Sequence, residues 1–198
     1  MKTLILTTIL LVASCNKNKN LDNTGSLKTS YKYLSEYRVT KNNKSLQKSY
    51  NELNKNAIYK EKGITSENYE LVLPVLMYLK KYGELETLLS KSKAIDESKK
   101  EITLNTIRSL NTYKKDKDLA KKYIDQNIKS IKERIKQNSK DSLLYVDYFV
   151  MKLYKSDRAT TLKEIDSMQQ VNKNHSLLFY NAILKDAIEE YPQEYLYN

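Results

Sequence analysis

The 198-residue chain has little of what punctuates or cross-links most folds: three Gly, two Pro, one Cys, one His and no Trp. So few Gly and Pro exclude a collagen-like or low-complexity chain and leave too few turn formers for many short strands. A helical fold is the expectation. One Cys cannot close an internal disulfide, and one Cys with one His cannot supply the ligands of an ordinary zinc site. Three isolated glycines cannot build a phosphate cradle, and neither a P-loop, a dinucleotide fingerprint nor a nucleophile elbow occurs. No cofactor or metal is expected.

What the chain has in abundance is positive charge, 35 Lys and Arg against 24 Asp and Glu, a formal +11. Only Arg38, Arg108, Arg134 and Arg158 contribute guanidinium groups, while Lys, Asn, Ile and Tyr are plentiful. That skew is typical of AT-rich codons, so the surplus reads first as mutational bias on a solvated surface. Without the Arg forks that read guanine edges or stack on bases, nucleic acid is not an expected partner. An acidic protein or an anionic envelope surface fits the residual charge better.

Met1 to Cys15 reads MKTLILTTILLVASC, with one Lys and an apolar run of ten residues from Leu4 to Ala13. A bilayer-spanning helix needs roughly 20 residues, so the run suits a cleaved signal core. The ending Leu11-Val12-Ala13-Ser14-Cys15 resembles the lipobox of bacterial lipoproteins. The resemblance implies a signal peptide over residues 1–14, lipidation of Cys15 and a triacylated mature N-terminus, each buried acyl methylene adding about 0.8 kcal/mol of membrane affinity. Asn16 follows Cys15, where an Asp holds many such lipoproteins at the inner membrane, which points to the outer membrane; the membrane face stays open. Residues 15–26 are polar and suit a lipidated flexible tether, and 27–198 is expected to form a single helical domain.

Helical spacing is clearest between Asp116 and Gln137, where Ala120, Ile124, Ile128, Ile131 and Ile135 share one face. Asp116 and Asp141 are natural N-caps, as is Asp157 or Ser156. Ser98 with Glu101 reads as a capping box. A segment from Ser66 to Tyr82 should be kinked or split by Pro74 and stopped by Gly83. Leu143 to Tyr154 is apolar nearly all round, as a central helix would be, and a last helix should run from Ser176 to Tyr191. Two N-terminal helices, Leu27 to Val39 and Lys44 to Lys62, bring the total to about eight.

Three passages, starting at Leu76, Ser109 and Val150, superpose as helix–turn–helix units. In each, a Tyr (Tyr82, Tyr113, Tyr154) closes the first helix and an Ile-Asp pair lies in the second. This pattern resembles the tetratricopeptide (TPR) class of helical-hairpin repeats. The Tyr spacing departs from that family's regular 34 residues. The expected fold is all-α, a TPR-like α-solenoid or irregular helical-hairpin array, with a compact helical bundle as the alternative.

The acidic residues are scattered among lysines, as in solvated i,i+4 pairs. The doublets Asp96-Glu97 and Glu189-Glu190 suit helix ends, and His175 suits a local turn. Seventeen tyrosines are the stronger surface signal, because Tyr offers large contact area with a polar tip at interfaces. Tyr82, Tyr113, Tyr145, Tyr148 and Tyr154 are the candidates for a partner-binding groove, and few of Tyr31, Tyr33, Tyr37, Tyr50, Tyr59, Tyr191, Tyr195 and Tyr197 are expected to be fully buried. The functional expectation is a non-enzymatic, membrane-anchored envelope lipoprotein that binds a protein or peptide. An immunity lipoprotein neutralising a periplasmic toxin and an envelope hydrolase with a helical active site are the alternatives.

Overall fold

The structure, a computed structural model, describes residues 25–56, 59, 64–65, 68–93, 95–171 and 176–197. The signal-like segment, Cys15, most of the tether, and His175 lie outside the described residues. The fold is all-α: nine α-helices and one 3-10 turn, with no strand, among the described residues. The helices are α1 (Gly25–Thr40), α2 (Asn43–Asn54), α3 (Tyr69–Tyr78), α4 (Tyr82–Lys91), α5 (Glu97–Thr112), α6 (Lys117–Gln137), α7 (Ser142–Leu153), α8 (Arg158–Val171) and α9 (Ser176–Glu189). The chain separates into two compact units, one ending at Asn111 and the other beginning at Thr112.

In the first unit, α1 and α2 form a hairpin across Lys41 and Asn42. Lys41 takes the left-handed conformation at φ 55°, and the Asn42 side chain accepts from the Lys44 N–H at 3.0 Å to cap α2. At the crossing, Ser30 and Ser49 are fully buried. Each hydroxyl donates to the other's backbone carbonyl, at 2.7 and 2.8 Å. Residues this small let two helix backbones approach, and their hydroxyls would otherwise be unsatisfied.

Helix α3 is buried from Leu71 to Tyr78, so its lack of a polar face follows from neighbours on several sides, α1, α2 and α4. Pro74 does not split it. The carbonyl that Pro74 leaves without an in-helix donor belongs to Glu70, an exposed residue in the first turn. Gly83 is not the stop either: α3 ends with Lys80 at φ 55° and the Lys81 N–H donating to Leu76 O at 2.9 Å, a Schellman-type closure. Gly83 falls inside the first turn of α4, so Tyr82 opens a helix where the sequence pattern had it closing one.

The cap of α5 differs too. Asp96, not Ser98, precedes the helix, and its backbone carbonyl accepts the Lys100 N–H at 2.8 Å. In the second unit the caps fall where the sequence placed them. Asp116 accepts from Asp118 and Leu119 N–H, Asp141 from Leu143, and Asp157 from Thr160. Helix α6 buries Ala120, Ile124, Asn127 and Ile131, while Ile128 and Ile135 sit half-buried at the margin of that face. Helix α7 packs against α6, α8 and α9 and buries Leu144, Val146, Phe149, Val150, Met151 and Leu153. It is the central helix of its unit, as its all-round apolarity required. The passages starting at Leu76 and Val150 each run from one helix into a packed neighbour, α3 into α4 and α7 into α8, whereas the passage starting at Ser109 runs along the chain from α5 into α6 across the boundary between the units.

Candidate functional site: two tyrosine clusters

The first unit uses tyrosine against a carboxylate. Tyr50 and Tyr59 approach Glu84, at the start of α4, and donate one hydroxyl to each carboxylate oxygen, both at 2.8 Å. Tyr59 is 1% exposed. Burial first, then the Glu84 hydrogen bond and charge, push its phenol far above the ordinary tyrosine range, so it remains a neutral donor. Lys81 Nζ lies 4.4 Å from the Tyr50 ring centroid, within cation–π distance. A second pair, Tyr37 edge-on to Tyr78 with centroids 4.9 Å apart, carries Lys41 Nζ at 5.7 and 5.8 Å from the two rings.

The second unit uses tyrosine against tyrosine. Tyr154, at the C-terminus of α7, donates to the Tyr195 carbonyl at 3.0 Å, and its oxygen lies 2.8 Å from that of Tyr191. Because the Tyr154 proton is committed to the carbonyl, Tyr191 is the donor between the two phenols. Arg158 Nη2 donates to the Tyr191 carbonyl at 2.7 Å. Tyr197 stacks on Tyr113 with centroids 3.8 Å apart and planes 5° from parallel, and meets Tyr154 edge-on at 5.4 Å. These contacts draw the segment after Pro192 against Tyr113 and the C-terminal end of α7.

Of the candidate groove residues, Tyr113 and Tyr154 are brought together, but the chain's own Tyr197 lies against both. Tyr154 is buried. Tyr145 and Tyr148 are half-buried on α7. Tyr145 donates to Ser139 O at 3.3 Å, and Lys132 Nζ lies 5.5 Å from the Tyr148 ring. Tyr82, half-buried and raised in pKa by burial, belongs to the first unit. Of the eight tyrosines among which few are expected to be fully buried, four are: Tyr37, Tyr59, Tyr191 and Tyr195 are buried, while Tyr31, Tyr33, Tyr50 and Tyr197 are half-buried. Tertiary partners explain the buried set. A ring whose hydroxyl meets Glu84 or a backbone carbonyl can leave water without leaving a polar atom unpaired.

Sequence reasoning passed over Glu84 and Arg158, which receive and supply these bonds. The i,i+4 spacing of Tyr191 and Tyr195 around Pro192 was the one available signal. Among the described residues, no group of three His, Cys, Asp or Glu side chains could hold a metal. Asp96 and Glu97 are exposed beside the start of α5, and of the other doublet Glu189 is exposed and Glu190 half-buried. No helix among the described residues is long and apolar enough to cross a membrane. No family model, curated protein or solved structure matches the chain. A functional reading therefore rests on the chain's own residues.

Proposed function

We propose that the chain is a non-enzymatic envelope lipoprotein, held by lipid on Cys15 to the outer membrane, whose helical body binds another protein or peptide. The observation that carries the anchor is the sequence Leu11-Val12-Ala13-Ser14-Cys15 closing a ten-residue apolar run. Support for the binding role comes from the helical-hairpin fold and from tyrosines that remain half-buried at the surface with lysines on their faces.

Tyr197 lies against Tyr113 and Tyr154, so the partner surface is read in the second unit at Tyr145 and Tyr148, three residues apart on α7. Two measurements test the proposal. Replacing Cys15 with Ala should abolish incorporation of labelled fatty acid and move the protein from the salt-washed membrane fraction to the soluble one. Retention after the salt wash overturns the anchor. Affinity capture of the anchored protein from detergent-solubilised envelope should recover a stoichiometric protein, and Tyr145→Ala/Tyr148→Ala should lose it. Capture unaffected by that double substitution overturns the assignment of the surface.

A further inference from the structure

The positive surplus is unevenly placed. Lys114 to Lys140 contains ten basic and four acidic residues, a surplus of six in 27 residues, whereas the 58 residues from Asp141 onward hold six basic and nine acidic ones. Both stretches belong to the second unit, so that unit is polarised. Its basic part is α6 with its flanking turns, and α6 packs chiefly on α7. Codon bias would supply lysines but would not sort them this way.

On α6, successive residues turn by about 100°. Lys117, Lys121, Lys132, Lys136, Lys129 and Lys122 therefore follow one another around an arc of about 140° that starts beside Ile124 and turns away from the buried Ala120, Ile124 and Ile131. Asp118 and Asp125 fall within it, and Asp125 is paired with Lys155, so the arc keeps a clear positive surplus. All six are exposed, as are Lys114, Lys115 and Lys140 just beyond the helix ends. Lys136 pairs with Glu133, Lys117 lies over Tyr113 and Lys132 over Tyr148. Lys114, Lys121, Lys122 and Lys129 enter no ion pair among the described residues. From Lys117 to Lys136 the row runs about 29 Å, at about 1.5 Å per residue.

The chemistry of the row selects its partner. A protein interface core is enriched in aromatic residues, Met and Arg and depleted in Lys. The α6 arc has the opposite composition: its one exposed large apolar residue, Leu119, lies outside the lysine arc. Ammonium groups on flexible stems are point charges without the fixed fork of Arg, suited to many mobile anions and not to one rigid carboxylate. Anionic phospholipid headgroups present such a field, worth about 1 kcal/mol per nearby lysine.

We propose that the lysine arc of α6 is a peripheral binding surface for an anionic phospholipid bilayer. The charge argument is independent of Cys15. The choice of a bilayer over a soluble polyanion rests on the membrane-anchored reading above.

The test uses the full chain carrying Cys15→Ala, partitioned between phosphatidylcholine vesicles and vesicles containing about one third phosphatidylglycerol. Any contribution of the N-terminal apolar run is common to both, so the ratio reads charge. The chain should favour the anionic vesicles by tenfold or more at low salt, and the preference should collapse near 0.5 M salt, where the screening length is only ~4 Å. Lys114→Gln/Lys121→Gln/Lys122→Gln/Lys129→Gln should bring the ratio close to one. A charge-matched control, Lys28→Gln/Lys44→Gln/Lys91→Gln/Lys163→Gln, changes four exposed lysines elsewhere and should retain most of the preference. Unchanged circular dichroism establishes that both variants fold. Equal loss in the two variants assigns the effect to total charge and overturns the surface. The absence of any anionic preference does so too, as does tighter capture by soluble polyglutamate than by vesicles. Salt-resistant membrane retention of the Cys15→Ala protein would instead overturn the anchor and leave the α6 result standing.

Discussion

The two units bury the same residue type by different means. Around Glu84 in the first, one carboxylate gathers the hydroxyls of two tyrosines that are nine residues apart in the chain. Around Tyr154 in the second, phenols bond one another and a backbone carbonyl, and edge-on ring contacts, with Tyr197 stacked on Tyr113, supply the rest. A buried phenol needs a partner for its proton, and either solution serves. They differ in what a substitution leaves behind: the first depends on one ionisable hub, the second on shared aromatic area.

The largest effect should come from the aromatic hub. Tyr154→Ala removes a buried ring in contact with Tyr191 and Tyr197 and leaves the Tyr195 carbonyl without that donor. It should cost about 3–5 kcal/mol in denaturant unfolding. Tyr154→Phe keeps the ring area and should cost only about 1–2 kcal/mol. If the two cost the same, the second cluster is held by its hydrogen bonds and the contrast between the units disappears.

In the first unit, Glu84→Ala should cost about 1–3 kcal/mol, because Tyr59 is left with a buried hydroxyl and no acceptor. Combining it with Tyr59→Phe should recover part of that loss, since the orphaned hydroxyl is then gone. Strict additivity in this cycle would show that Glu84 is no hub.

The units also differ in the pH extremes they should feel. The raised Tyr59 phenol contributes stability that is fully present below the unfolded tyrosine pKa of about 10 and is lost as pH rises beyond it toward the folded value. Alkaline titration should therefore loosen the first unit, and Tyr59→Phe should blunt the effect. Asp157 is the opposite case. Hydrogen bonds from the Thr160 N–H and hydroxyl hold its carboxyl below the usual carboxylate range. The contribution of this cap is present above the ordinary Asp pKa and fades as pH falls through the lowered one. Hydrogen exchange in the first turn of α8 should quicken at acid pH in the native chain but not in Asp157→Asn, which keeps the cap without the charge.

The smallest expected effect tests the stop of α3. Lys80 holds a left-handed backbone that glycine adopts without steric cost, so Lys80→Gly should be neutral or stabilising by up to about 1 kcal/mol. A loss of stability would mean that the lysine stem contributes contacts outweighing its backbone conformation.

Much of the second unit was legible because its signals are local. Asp116, Asp141 and Asp157 cap by bonding to N–H groups two or three residues ahead, and the apolar run of α7 needs only its own composition to mark it as central. The α3–α4 junction was not legible. Lys80 reached a conformation that sequence rules reserve for Gly, while Gly83 two residues after Lys81 entered a helix it could equally have ended. Either residue satisfies the local chemistry, and the packing of α3 on all sides selects between them.

Among the candidate site residues, the sequence marked Tyr113 and Tyr154 but not what meets them. A tyrosine's burial depends on whether an acceptor arrives from elsewhere in the chain. Tyr195 lies 41 residues from Tyr154, and Glu84 lies 25 from Tyr59, separations at which periodicity carries no information. Composition and spacing alone determined that the chain is helical, that disulfide and zinc chemistry of the usual kinds are excluded, and where most helices begin. Tertiary structure decided which tyrosines leave the water, where α3 stops, and that the lysine arc set by the helical spacing of α6 stays exposed. Helix formation and capping are satisfied within a few residues, while hydrogen-bond partners for buried phenols and the direction in which a helix turns its charge exist only once distant segments have packed.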